Sequence, residues 1–246
     1  MNLPSHRQFT PKMNSTRNDK QDTTIMTSFD LVTFDCYGTL IDWESGIAGA
    51  FLTEAAKDGI ELQPDQVIEA YAAHEAAVES GPYRSYRDVL GETARRVAEA
   101  LKWELPPERR GFLAASLPDW KPFPDTNPAL ERLARRFKLG ILSNIDDDLL
   151  SATLRHFTVH FDLVVTAQQV KSYKPGLAHF KEAQGRSGDK RLLHAAQSFF
   201  HDVVPTGKLN IPVVWVNRKG FGVEPGGPLP THEVHDLTGL ANLLGV

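Results

Sequence analysis

The sequence predicts an α/β protein, a doubly wound parallel sheet with a helical cap inserted after its first strand. Three observations carry this. An apolar run, Leu31-Val32-Thr33-Phe34, leads straight into Asp35 and is ended by Gly38. The stretch that follows, residues 45–117, is almost wholly helix-forming. From Pro118 onward strand-like and helix-like segments alternate, which is the pattern of a parallel sheet with crossover helices.

The first run is rich in β-formers and has no polar alternation, so it reads as a strand buried on both faces. Asp35 then falls at or just beyond its carboxyl end, where open α/β sheets place ligands. The cap contains alanine-rich and charged stretches such as EAYAAHEAAVES and LGETARRVAEALKW, interrupted at Pro106-Pro107. A proline-marked connector follows, with Asn127 as candidate N-cap for the helix PALERLARRF. Strands are expected at Leu139–Leu142, Leu163–Val165, Leu192–Ala196 and Val213–Val216. Helices are expected at Asp146–His156, Leu177–Gln184 and Val203–Leu209, and a small unit, HEVHDLTGLANLL, closes the chain. The segment KGFGVEPGGPLP reads as a Gly/Pro-rich loop. Residues 28–44 and 118–246 then form one Rossmann-like core, with 45–117 as the cap.

Residues 1–27 are polar and without periodicity, and read as a disordered extension. They lack the apolar centre of a secretory signal, and Asp19 and Asp22 count against a mitochondrial presequence. Met26 could be the natural start. The 246 residues carry a net charge of −4, which gives no electrostatic reason to expect nucleic acid. No apolar stretch is long enough to span a bilayer, so no membrane partner is expected. The lone Cys36 excludes an internal disulfide and a thiolate zinc cluster. These limits fit a cytoplasmic enzyme.

Polar residues at three further strand ends can converge on Asp35 in this topology. Ser143 and Asn144 follow the second strand, Lys174 follows the third after a short excursion, and Gln197, Ser198, His201 and Asp202 follow the fourth. Each has a plainer reading: Ser143-Asn144 and Asp202 as helix caps, Lys174 as a solvated charge, Asp35 itself as a strand-end turn residue. All of them share one predicted sheet edge, which weakens those readings together. Cys36 lacks an adjacent base and reads as a small apolar neighbour. His232, His235 and Asp236 lack further ligands for a metal. Trp43 and Trp120 read as packing, with Trp43 also a candidate pocket wall.

The ordered set Asp35-x-Tyr37-Gly38-Thr39, Ser143-Asn144, Lys174-Pro175 and Asp202 resembles the haloacid dehalogenase superfamily over residues 29–217. The resemblance implies Asp35 as nucleophile, with Ser143 and Lys174 steadying charge and Thr39 beside the carboxylate. Phosphatase members resemble the chain but carry a second aspartate where Tyr37 stands, and a carboxylate where Gln197 stands. Tyr37 cannot readily protonate a leaving alcohol, whereas a halide needs no proton. The motif is therefore more similar to the 2-haloacid dehalogenase branch. That resemblance implies halide displacement by Asp35, an aspartyl ester, and hydrolysis by water near Asp202, without metal or other cofactor. It also implies a small carboxylic acid as substrate, with Tyr37, Asn144 and Ser198 around it, and a possible homodimer. Arg84, or Arg87 close by, resembles the halide-binding arginine. Phe199, Phe180 and Gln197 depart from the dehalogenase pattern. His201 is an addition that either acts on water or faces solvent at a helix start. A magnesium-dependent phosphatase, a hydrolase of another activated small acid, and a silent binding member remain alternatives.

Overall fold

In the computed structural model, residues 28–223 and 226–246 are described. The expected N-terminal extension lies outside them, as does part of the Gly/Pro-rich loop. Six strands form one all-parallel sheet: β1 (Leu31–Phe34), β2 (Lys138–Ser143), β3 (Leu163–Thr166), β4 (Leu192–Ala196), β5 (Val213–Val216) and β6 (His232–Val234). Their spatial order is β3-β2-β1-β4-β5-β6. The chain runs outward from β1 to β3, then crosses to β1's other side. The order thus reverses at β1 and β4, and a crevice at their carboxyl ends follows from that reversal.

Strand β1 is central and buried throughout. Val32 and Phe34 join the larger apolar cluster, while Leu31 faces a second cluster with Leu142, Val165 and Phe180. Such two-sided burial accounts for a run without polar alternation.

Helices α1 (Trp43–Ala56), α2 (Pro64–Glu79), α3 (Tyr86–Ala100) and α4 (Phe112–Ser116) lie between β1 and β2. Helices thus fill the interval between the first two strands, and the first of them starts at Trp43, two residues ahead of residue 45. Asp42 caps that helix by accepting from the Ser45 amide, and Pro64 opens α2, where a missing amide hydrogen costs nothing. Phe51, Val67, Tyr71, Val89 and Leu90 join the same apolar cluster as Val32 and Phe34, so insertion and sheet share a core. A core carboxylate also reaches across. Asp146 accepts from the backbone amides of Tyr86 and Arg87, both at 2.9 Å, at the start of α3.

Helix α5 (Thr126–Ala134) precedes β2, and α6 to α10 follow it: Asp147–Leu154, Ala167–Val170, Ala178–Ser187, Val204–Lys208 and Leu237–Leu243. Asn127 is not a cap. It lies inside its helix and donates to the His156 carbonyl, tying the helix to a neighbouring loop. The expected Val203–Leu209 helix begins instead with a π-type turn at Phe199–Val203. The closing unit resolves into β6 and the last helix, capped by Asp236 through the Gly239 amide. Among the described residues, no helix is long and apolar enough to cross a membrane.

Candidate active site

Four chain segments meet at the carboxyl edge of the sheet. Asp35 is the first residue beyond β1, and its amide donates to Ala195 of β4 at 3.1 Å. Gly38 holds φ at +95°, a left-handed conformation that favours glycine, and a Cβ there would meet Trp43 and Gln197 at 3.1 and 3.2 Å. The turn brings Thr39 back, so that its hydroxyl donates to Asp35 Oδ2 at 2.9 Å. The same Thr39 oxygen accepts from the Gln197 amide at 2.8 Å, which locks the β1 and β4 edges together.

Lys174 is the centre of the arrangement. Its Nζ donates to Asp35 Oδ1 at 2.8 Å, Asp202 Oδ1 at 2.7 Å and the Leu142 carbonyl at 2.9 Å. With three acceptors the ammonium is saturated, which a side chain only 2% exposed requires. Burial alone acts to lower the Lys174 pKa, but the Asp202 and Asp35 carboxylates outweigh it and hold it above the ordinary lysine range. Burial pushes the Asp35 carboxyl up, against the pull of Lys174 and the Thr39 hydroxyl. Burial acts the same way on Asp202, yet Lys174 and His194 hold that carboxyl below the usual range. The lysine therefore stays charged between two acids, one poised and one firmly ionised.

Asn144 clamps this lysine from behind. Its side-chain amide donates to the Lys174 carbonyl at 3.1 Å and accepts from the Lys174 amide at 2.7 Å, next to the cis Lys174–Pro175 bond. These two bonds hold the Lys174 backbone in place and leave one N–H of the Asn144 amide without a protein acceptor. Ser143, the last residue of β2, is 1% exposed, and its hydroxyl has no partner. Ser198 accepts from the His201 amide at 3.1 Å and meets the His201 ring at 2.9 Å. Tyr37 is hydrogen-bonded to Thr153 at 2.7 Å, with its ring edge-on to Trp120.

Asp35, Tyr37, Ser143, Asn144, Lys174, Ser198, His201 and Asp202 line one cavity of about 290 Å³ between the sheet edge and the insertion, and Thr39 does not. Arg84 and Arg87 do not. Both are exposed; Arg84 donates to the Val78 carbonyl and Arg87 pairs with Asp148. The structure thus separates the expected halide arginine from the cavity, because Arg84, before α3, turns back to the end of α2 and Arg87, in the first turn of α3, turns out to Asp148. His201 lines the cavity rather than facing only solvent.

Several residues at the site had no sequence signal. His194, within β4, touches Asp202 Oδ1 at 3.0 Å and Thr33 at 2.9 Å, with Phe180 edge-on to its ring at 5.3 Å. Arg218 donates to the Thr39 carbonyl at 2.8 Å while stacked on Phe123. On the insertion side, Tyr71, Glu75, Glu79 and Tyr86 line the cavity. Cys36 is fully buried, and burial followed by the Asp35 charge pushes its thiol up, away from nucleophilic use. The described residues contain no group of three or more His, Cys, Asp or Glu side chains able to hold a metal ion.

A family model described as haloacid dehalogenase-like hydrolase matches residues 29–193, two thirds of the sequence and the segments carrying Asp35, Ser143 and Lys174. The chain belongs to this hydrolase family. Among curated relatives, (S)-2-haloacid dehalogenase H-109 of Pseudomonas putida is 25% identical over 224 residues, covering 87% of this chain and 96% of that protein. The fold is shared with the L-2-haloacid dehalogenase of Xanthobacter autotrophicus solved with chloropropionic acid covalently bound (TM-score 0.75, 21% identity, 88% and 98% of the two chains). It is equally shared with the HAD-hydrolase YfnB of Bacillus subtilis, bound to magnesium (TM-score 0.76, 17% identity, 89% and 99%). Family hydrolases with different site contents thus have one backbone, and the choice between reactions falls to side chains.

Proposed function

We propose that this family member hydrolyses the carbon–halogen bond of a small 2-haloacid through an ester on Asp35. The observation that carries the reading is the Asp35–Lys174–Asp202 chain, together with Tyr37 where a leaving alcohol would need an acid. In the first step an Asp35 carboxylate oxygen attacks the α-carbon, and the carbon–halogen bond breaks with its electron pair leaving as halide. Lys174 and Thr39 fix the carboxylate so that one oxygen is aimed without further ordering. In the second step a water oxygen attacks the carbonyl carbon of the ester. The alkoxide leaves as the 2-hydroxyacid, a proton is released, and Asp35 is restored. Asp202 Oδ2, buried without a partner, and His201 are the acceptors nearest in chemistry to that water. The insertion acts as the cap that keeps bulk water from the ester.

The substrate carboxylate is assigned to the Ser143 hydroxyl, and the α-carbon to the Trp43 and Tyr37 side of the cavity. With Arg84 outside, halide leaves past the aromatic wall without an arginine partner. Replacing Asp35 by Asn should abolish halide release from 2-chloro- or 2-bromopropionate. Single turnover in oxygen-labelled water should place label in the Asp35 carboxylate. Label appearing in the product while Asp35 stays unlabelled would sink the ester mechanism.

A further inference from the structure

The cavity is acidic on the insertion side, and no cation answers it there. Helix α2 places Glu75 and Glu79 one turn apart, and both line the cavity. Like charges at this spacing repel along a helix. Glu75 is pinned, its Oε1 accepting from the Tyr71 hydroxyl at 2.6 Å and the Tyr86 hydroxyl at 2.9 Å. Glu79 has neither a hydrogen-bond partner nor a counter-ion in contact among the described residues. Counting the lining residues gives four carboxyl groups (Asp35, Glu75, Glu79, Asp202) and one ammonium, Lys174. That ammonium is already shared by the two aspartates.

Such a wall disfavours a plain anion and favours a cation. Aromatic faces strengthen the preference: Trp43 and Tyr71 pack at 5.6 Å between ring centres, and Tyr37 and Trp120 at 6.0 Å, all lining the same space. At the opposite pole, the buried, unpartnered Ser143 hydroxyl is a hydrogen-bonding group left for a ligand. The cavity therefore offers a donor at the sheet and acceptors at the insertion.

We propose that Glu75 and Glu79 form an ammonium subsite, so that the substrate is a small zwitterion, a 2-haloacid that also carries an amino group. The carboxylate lies toward Ser143, the α-carbon at Asp35 and the ammonium against the two glutamates. This assignment rests on the proposed reaction for its halide and on the cavity alone for its ammonium.

Protonation supports it. Burial first, then the Glu75 charge, push the Glu79 carboxyl up to about 9, with Lys174 pulling the other way. Tyr71, Tyr86 and Tyr173 are the other titratable groups facing it. A bound ammonium supplies the missing counter-charge, so its arrival at neutral pH expels the Glu79 proton.

The test uses ligands that lack a leaving group, so that no reaction intervenes. Titration calorimetry of the full chain should give 3-aminopropionate an affinity about tenfold above propionate, the scale of one hydrogen bond to a charged group. Repeating the titration at pH 7.5 in buffers of different ionisation enthalpy should show a proton released by 3-aminopropionate alone. Glu79→Gln should bring the affinity ratio to about one and abolish the release. Propionate binding as tightly, no detectable binding of 3-aminopropionate, or a preference that survives Glu79→Gln would each overturn the subsite. Halide release separates the two readings. Brisk turnover of plain 2-haloacids without the ammonium preference sinks only the subsite. A clear preference with no halide release from any haloacid sinks only the proposed reaction.

Discussion

The two walls of the cavity are built on opposite terms. On the sheet side nearly every charge is answered: Lys174 meets two carboxylates and a carbonyl, and Thr39 bridges Asp35 to the β4 edge. On the insertion side Glu75 has only neutral phenols and Glu79 has no partner among the described residues. A buried ionic network that is fully satisfied fixes geometry, whereas a carboxyl held protonated for want of a counter-ion stores a preference for whatever will supply one. On the proposed reading, chemistry is held by the rigid side and selection by the unsatisfied one.

Substitutions can break this contrast, beginning where most is at stake. Lys174→Met leaves Asp35 and Asp202 buried without their cation. It should cost about 3–5 kcal/mol in urea unfolding and abolish halide release. Stability within about 1 kcal/mol of the parent would mean that the sheet-side network is not the constraint described. His194→Phe removes one donor from Asp202 but keeps Lys174, and should cost about 1–3 kcal/mol by the same measurement. A neutral result would show that His194 is packing rather than polar support.

Glu79→Gln tests the other wall through pH. Glu79 keeps its proton in the fold up to about 9, whereas the unfolded chain loses it near the ordinary 4.5. Between those values the unfolded state binds fewer protons, so this residue makes stability fall as pH rises. Thermal melts of Glu79→Gln should show a shallower decline over that window than the parent, and identical slopes would count against the assignment. His179 has the reverse sign. Burial, then Lys174, lower its pKa to about 3 from 6.5, so stability should fall as pH drops from 6.5 toward 3, and His179→Gln should flatten that loss. The smallest effect is expected from Arg84→Ala, where an exposed guanidinium outside the cavity should change halide release less than about twofold. A large loss there would restore the arginine to the site.

The sheet side was legible because its residues sit at strand ends, where hydrophobic runs stop and polar residues begin. Asp35, Ser143, Lys174 and Asp202 all follow that rule, and the structure brings them together. His194 was hidden because it lies inside an apolar strand, where position 194 shares a face with Leu192 and reads as filler. Its neighbour Phe180, noted as a departure, packs against this imidazole. The insertion side was illegible for a different reason. EAYAAHEAAVES carries polar and small residues on every face, so periodicity does not say which glutamates turn inward. Arg84 shows the converse hazard, since nearness in sequence to an insertion helix says nothing about side-chain direction.

Asp146 has a consequence for traffic. It belongs to the loop after β2, yet it caps the helix that starts at Tyr86, with both of its oxygens on insertion amides. Together with the short connectors at the other end of the insertion, this makes two moorings rather than one hinge. Lifting the roof as a slab would break both Asp146 bonds and leave α3 with only its own Ser85 cap. Removing that mooring with Asp146→Ala should therefore change how fast a bound ligand exchanges with solvent before it changes how fast bonds break.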